Sequence, residues 1–250
     1  GEFVQVLHTI NHFDLIVHLA GILAKDDTPD THAAIMDANV TGLFRILEIT
    51  RSHQTRFFFH STGLLYGDQK PPYTEEMTPR PFDFYSLSKY MGESMITHYA
   101  KKYGFPAVIF RPSVMYGPGQ RGSMFIPSLV DALLAGREFP MTPGEQTRDF
   151  LYITDFVDAL TAAIRTPGLE GTYNLGSGKP YTLRAVADLA AEITGKPGLV
   201  RIGVIPYRER ESWEYCLDIS RMSKATGWQP RVDLKAGVTA VVEHERRTEG

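Results

Sequence analysis

The chain has 250 residues, 26 basic against 29 acidic side chains, a formal net charge of −3 and 43% hydrophobic residues. That composition excludes a disordered chain, and the near-neutral charge gives no drive toward nucleic acid or acidic membranes. The single cysteine, Cys216, excludes an internal disulfide and a multi-cysteine metal site. No apolar stretch reaches bilayer length, and Gly1-Glu2-Phe3-Val4 lacks the regions of a signal peptide, so a cytoplasmic protein is expected.

Leu15 to Leu19 is short, apolar and partly β-branched, and it stops at Ala20-Gly21, which predicts a buried parallel strand. Residues 31–52 carry Ala34, Ile35, Ala38, Leu43, Ile46, Leu47 and Ile49, largely at helical spacing. Arg56 to His60 predicts the next strand, residues 84–103 a helix, and Ala107 to Phe110 a third strand. The alternation predicts an α/β fold, a doubly wound parallel sheet of the Rossmann type. Pro112, Pro118, Gly119 and Gly122 then break the pattern. Helices are expected at 124–136, 155–165, 182–194 and 235–247, and short strands near 150–153, 172–175 and 201–205. Residues 1–120 read as a truncated dinucleotide-binding domain. Residues 121–250 read as a smaller, mainly substrate-binding lobe with some segments returning to the sheet.

A dinucleotide-binding sheet opens with a strand, a glycine-rich turn and a helix that receives the pyrophosphate. Nothing near the start fits. The one G-x-G-x-x-G, Gly117 to Gly122, comes late, holds Pro118, and reads as a loop. At about 30 residues per strand–helix–strand unit, about 60 residues of such a domain are expected ahead of this sequence.

The strongest chemical signal is Tyr85-Ser86-Leu87-Ser88-Lys89, opening a helix. Residues four apart share a helical face, with Cβ atoms about 5–6 Å apart. A phenol titrates near 10, and a neighbouring ammonium favours the phenolate. Lowering the pKa to about 7 takes about 4 kcal/mol, within reach of two cations in a dry pocket. Upstream lies His60-Ser61-Thr62-Gly63-Leu64-Leu65-Tyr66-Gly67, directly after an apolar strand. A hydroxyl at a strand's carboxyl end faces the crevice where such sheets bind ligands.

On these stretches the chain resembles the extended short-chain dehydrogenase/reductase superfamily, in its nucleotide-sugar epimerase/dehydratase branch. His18-Leu19-Ala20-Gly21, Asn39-Val40-Thr41-Gly42, Arg111-Pro112 through Pro118, and Arg148-Asp149-Phe150-Leu151-Tyr152 follow in the same order. The resemblance implies a catalytic Tyr85, a Lys89 that holds the cofactor ribose and lowers the Tyr85 pKa, and a Thr62 that completes the triad. It implies cofactor contacts from Leu19, Ala20, Gly21, Asn39, Ser61, Pro112 and Val114 besides Tyr85 and Lys89. Substrate contacts would come from Thr62, Arg148, Arg208 and Glu211, the arginines gripping a nucleotide diphosphate and the glutamate its ribose. NAD is the implied cofactor, with NADP open because the residue that reads the 2′ position falls outside this sequence. The implied partner is a nucleotide-diphosphate sugar, and a homodimer would form through the helices at 31–52 and 84–103.

Departures narrow the reaction. Sugar 4,6-dehydratases carry an acidic pair where this chain has Gly63 and Leu64, so dehydration is disfavoured. Many epimerases have an asparagine at Val114, and the galactose epimerases a lysine at Leu23. The resulting expectation is 4-epimerisation through a transient 4-keto sugar. The alternatives are a 4-ketoreductase of a deoxy-sugar nucleotide and a non-catalytic binding protein. No metal is expected: His8 and His12 are four apart, but Thr9 stands where a zinc hydrolase needs glutamate. His18 and His60 read as strand-end residues that pack or bond backbone.

Overall fold

The computed structural model describes residues 13–24, 26–51, 54–120, 124–209 and 211–248. In chain order the elements are β1 (Leu15–His18), α1 (Pro29–Ile35), a π-helical stretch (Met36–Thr41), α2 (Gly42–Thr50), β2 (Arg56–His60), a 3₁₀ turn (Gly63–Tyr66) and α3 (Phe84–Tyr103). Then follow β3 (Ala107–Pro112), β4 (Val114–Tyr116), α4 (Phe125–Leu134), β5 (Phe139–Met141), β6 (Thr147–Tyr152), α5 (Ile153–Arg165) and β7 (Gly171–Leu175). The last are β8 (Pro180–Thr182), α6 (Leu183–Thr194), a 3₁₀ turn (Pro197–Leu199), β9 (Val200–Ile202), α7 (Ser220–Thr226) and α8 (Leu234–Thr248).

The chain divides into two compact units. The first takes the chain through Gln69, Glu75–Pro112 and Ala163–Asn174. Its sheet has the order β1-β2-β3-β7. The β1–β2 and β2–β3 pairs are parallel, with Val17 beside Phe58 and Phe58 beside Val108. Phe57, Phe58 and Phe59 are each at most 1% exposed, which requires both faces of this sheet to be covered. Helix α3 covers one face. Its start is set by a capping box between Asp83 and Ser86, and its end by Gly104 at φ 76°. Lys101 and Lys102 sit in its last turn, where the helix dipole favours cations. Leu43 and Leu47 of α2 and Ile96 of α3 pack with Phe57, Phe59 and Ile109.

The second unit takes Lys70–Thr74, Ser113–Ala162 and the chain from Leu175. Here β4 runs parallel to β6, with Val114 beside Phe150, and β8 runs antiparallel to β6, with Tyr181 beside Arg148. A second parallel pair joins β5 to β9. Ile126, Leu129 and Leu133 of α4, Val186, Ala187 and Ala190 of α6, and Val238 and Val242 of α8 form its core. The 3.6-residue spacing of Leu183, Val186, Ala187, Ala190 and Ile193 is thus core packing, as its pattern indicates.

Two expectations are corrected. The helix expected over 31–52 is broken by the π-helical stretch Met36–Thr41. The strand expected over 201–205 ends at Ile202. The glycine-containing segment from Gly117 forms a turn after β4 with Gly119 at φ 71°, while Arg121 and Gly122 lie outside the described residues. His8, His12 and His53 also lie outside them. Among the described residues no helix is long and apolar enough to cross a membrane.

The fit between α3 and β2 depends on Gly92, where a Cβ would lie 2.8 Å from Phe59 Cζ and 3.1 Å from Leu43 Cδ2. Gly92→Val is expected to cost about 2 kcal/mol by overpacking. The measurement is the urea midpoint at unchanged m-value; an unmoved midpoint would show that this contact does not set the helix position.

Candidate functional site

The first unit gathers Thr62, Tyr85 and Lys89. Tyr85 is half-buried in the first turn of α3. Lys89, one turn on, is 2% exposed. Its Nζ donates to the His60 carbonyl oxygen at 2.9 Å and lies 5.9 Å from the Tyr85 ring centre and 5.1 Å from that of Phe59. Thr62 is 6% exposed, and its Oγ1 accepts the Leu64 N–H at 3.2 Å, which opens the 3₁₀ turn. Gly63 and Leu64, the positions where a dehydratase would need acids, contribute backbone to that turn.

Asn39 is the hinge of the opposite wall. It sits in the π-helical stretch, 2% exposed. Its amide brackets the Ile22 backbone, accepting from Ile22 N at 2.7 Å and donating to Ile22 O at 3.1 Å. It also donates to Ser88 Oγ at 2.9 Å, and Ser88 donates to Tyr85 O at 2.7 Å. All of these bonds are internal, so Asn39 positions the segment after β1 rather than offering its amide to a ligand. π-Helical turns recur at functional sites because they redirect one side chain in this way.

Leu19, Ala20 and Gly21 form the exposed segment that leaves β1. A Cβ at Gly21 would lie 2.8 Å from Lys89 Nζ and 3.2 Å from Asn39 Oδ1. This bare backbone beside a buried ammonium, at the carboxyl end of parallel strands, fits the approach of a dinucleotide. Ser61 turns inward: it is fully buried, and its hydroxyl donates to Glu93 Oε1 at 2.5 Å, leaving it no free face for a cofactor. Pro112 is buried at the end of β3, and Val114 is half-buried at the start of β4 in the second unit.

The protein alone does not acidify the phenol. Burial, helped by the Asp83 carboxylate, pushes Tyr85 up to about 12. Burial pulls Lys89 down to about 8. His18 and His60 fall to about 4, first through burial and then through the Lys89 charge. His18 is 6% exposed and packs on Phe57 and Phe59. Its Nε2 has no partner among the described residues.

In the second unit, Arg148 and Glu211 meet. Arg148 Nη2 donates to Glu211 Oε1 at 2.8 Å, and Nη1 to the Thr147 and Ser212 carbonyls at 2.7 Å each. Arg148 therefore pairs with neither Asp149 nor Asp155. Asp149 instead accepts from Ser177 N, Ser177 Oγ, Gly178 N and Leu217 N. Asp155 accepts from Arg231 N and Val232 N. Arg208 is exposed in the segment after β9. Beside it Tyr207 leans on Trp213, ring centres 4.7 Å apart. No group of three or more His, Cys, Asp or Glu able to hold a metal occurs among the described residues.

The sequence reading missed Glu93, Arg111, Ser88 and Tyr66, all buried and hydrogen-bonded around the triad. Two signals were available. Glu93 continues the four-residue spacing of Tyr85 and Lys89, and Arg111 closes an apolar strand, where a charge needs a buried partner.

The model of the NAD dependent epimerase/dehydratase family matches residues 2–176. An uncharacterized UDP-glucose epimerase of Bacillus subtilis is 32% identical over 233 residues, 90% of this chain and 72% of that protein. A dTDP-glucose 4,6-dehydratase of Escherichia coli is 28% identical over 259 residues, 92% of this chain and 72% of that one. The crystal structure of a UDP-glucose 4-epimerase from Thermotoga maritima, with UDP-glucose, superposes with a TM-score of 0.92 at 27% identity. That superposition covers 100% of this chain and 82% of the other.

The histidines give a pH test. In the unfolded chain His18 takes up its proton near 6.5, but in the folded chain only near 4. Between those values the unfolded state binds more protons, so stability falls as pH drops. The loss attributable to His18 between pH 7.5 and 5 is about 2 kcal/mol. His18→Leu should flatten the denaturant midpoint over that range by about this amount; an unchanged pH slope would show that His18 is not held neutral.

Proposed function

The chain belongs to the NAD dependent epimerase/dehydratase family, an enzyme class, and from that premise we propose that it is a nucleotide-diphosphate-sugar 4-epimerase. The observation that carries this reading is the buried Lys89 one turn beyond Tyr85, bonded to the carbonyl two residues before Thr62. Leu19, Ala20, Gly21, Tyr85 and Lys89 would hold NAD, with Pro112 bordering its nicotinamide. NAD held there would supply a reversible hydride acceptor for the sugar carbon.

Lys89 orients the ribose and places its ammonium beside the ring of Tyr85. Thr62 hydrogen-bonds the reacting sugar oxygen. Tyr85, as phenolate, removes the hydroxyl proton from that oxygen and gives it back after the 4-keto sugar has turned over. Because the protein alone holds Tyr85 near 12, the phenolate depends on positive charge that arrives with the oxidised cofactor. Within the second unit, Arg148 and Arg208 are the candidates for contact with a nucleotide diphosphate, and Glu211 for contact with its ribose. The absence of acidic side chains at Gly63 and Leu64 speaks against a dehydratase, which must expel water.

Incubation with UDP-glucose and dTDP-glucose, with assay for the 4-epimer and for reduced-cofactor absorbance, tests the reading. Epimer formation with no net change in reduced NAD supports it. Stoichiometric consumption of NADPH with a 4-keto sugar would mark a ketoreductase. Tyr85→Phe should lower turnover by at least about 10³-fold; retained turnover would remove Tyr85 as the base.

We also propose a homodimer. Phe44 on α2 and Leu87 on α3 are 45% and 38% exposed, apolar groups on the two helices expected to pair. Phe44→Glu should shift the sedimentation coefficient from dimer to monomer; a monomeric parent chain would contradict the proposal.

A further inference from the structure

The first unit holds a buried polar chain that the mechanism above does not use. Glu93 lies four residues beyond Lys89 on α3, so Tyr85, Lys89 and Glu93 follow one helix face. Glu93 is 4% exposed and Arg111 5% exposed. Arg111 Nε donates to Glu93 Oε1 at 3.0 Å and Nη2 to Oε2 at 2.6 Å, a two-pronged pair. The Ser61 hydroxyl donates to the same carboxylate at 2.5 Å. Arg111 Nη1 donates to the Tyr66 hydroxyl oxygen at 2.9 Å, and Tyr66 donates to Asn174 Oδ1 at 2.7 Å.

These bonds grip the segment that carries Thr62 at both ends. Ser61 precedes Thr62 and is tied to Glu93. Tyr66 ends the 3₁₀ turn that Thr62 opens, and it is tied to Arg111. The Ser61 backbone N–H also donates to Phe110 O at 2.7 Å, one residue before Arg111. A single ion pair therefore fixes residues 61–66 to the helix that bears Tyr85 and Lys89. Stability alone does not call for such a pair, because apolar residues of the same volume hold a core as well or better. What the fork supplies is a fixed distance and orientation.

We propose that Glu93 and Arg111 are positioning residues: through Ser61 and Tyr66 they hold the Thr62 hydroxyl in register with the Tyr85–Lys89 face. The proposal rests on the catalytic reading of Thr62, Tyr85 and Lys89. Neither Glu93 nor Arg111 is assigned contact with substrate or cofactor.

The test uses the full chain with NAD and the sugar nucleotide it turns over. Glu93→Gln, Ser61→Ala, Tyr66→Phe and the Ser61→Ala/Glu93→Gln double variant are compared for kcat, KM and the thermal shift given by NAD. A misplacement of about 1 Å costs about 100-fold in rate. The expected result is a kcat lowered about 10- to 100-fold in each single variant, with KM within about threefold and the NAD shift preserved. The double variant should be no slower than Glu93→Gln alone, because both changes break one link. Normal kcat in the folded variants with a lowered Tm would overturn the proposal and leave a purely structural role, and so would multiplicative effects in the double variant. If Glu93→Gln fails to fold, Ser61→Ala and Tyr66→Phe decide, since each removes only one hydroxyl. Tyr85→Phe separates the two readings. An active Tyr85→Phe defeats the catalytic assignment, whereas an inactive one beside fully active Ser61→Ala and Tyr66→Phe defeats only the positioning role.

Discussion

An ammonium group held away from water, with no carboxylate paired to it among the described residues, is the condition around which the first unit is arranged. Lys89 is 2% exposed, and its Nζ donates to a backbone carbonyl, that of His60, with the Phe59 ring face nearby. A buried charge so lightly compensated is costly, and the cost shows in the fall of its pKa to about 8. The neighbours must then meet strict terms. A Cβ at Gly21 would sit 2.8 Å from the nitrogen and force the Lys89 side chain to shift. His18 and His60 are pulled down to about 4, first by burial and then by the Lys89 charge. Asn39 ties the Ile22 backbone through two hydrogen bonds. Such an arrangement is poor for stability and good for a ligand that brings its own complementary groups.

What could be read from the sequence is what depends on near neighbours along the chain. Phe57 to Phe59 announce a strand covered on both faces, and the spacing of Tyr85 and Lys89 places them on one face whatever the tertiary context. The limits of α3 were close to legible because Asp83 and Gly104 are local end signals. The π-helical stretch at Met36–Thr41 was not, because one extra residue per turn barely disturbs an apolar pattern. Strands of three residues, β4, β5 and β8, are too short to show a period. The change of unit at Pro112 follows from which strand β4 pairs with, and pairing is a long-range fact.

The site shows the same limit. Arg148 and Glu211 were each expected at a ligand, yet nothing in a one-dimensional reading joins residues 63 positions apart. The acidified phenol was the natural inference from an adjacent ammonium. It fails for the protein alone because burial works on Tyr85 in the opposite sense, and because the ammonium is directed at the His60 carbonyl. Position along a helix gives proximity; only the packed environment gives the sign of the shift.

Buried carboxylates serve as fasteners in both units, and they do so by different chemistry. Glu93 is met by a guanidinium and a hydroxyl, and it ties side chains from three elements into one rigid node. Asp149, fully buried, is met by three backbone N–H groups and one hydroxyl, with no cation. Burial there outweighs the hydrogen bonds and raises its pKa. The difference follows from what each must hold. Asp149 fixes loop backbone, Ser177–Gly178 and Leu217, in the unit that carries Arg148 and Glu211, and N–H donors suffice for that. Glu93 fixes the side chains of Ser61 and Arg111, and the planar fork of an arginine supplies the orientation that a single N–H cannot. A polar interior that costs stability is therefore concentrated where geometry matters most, beside the residues assigned to proton transfer.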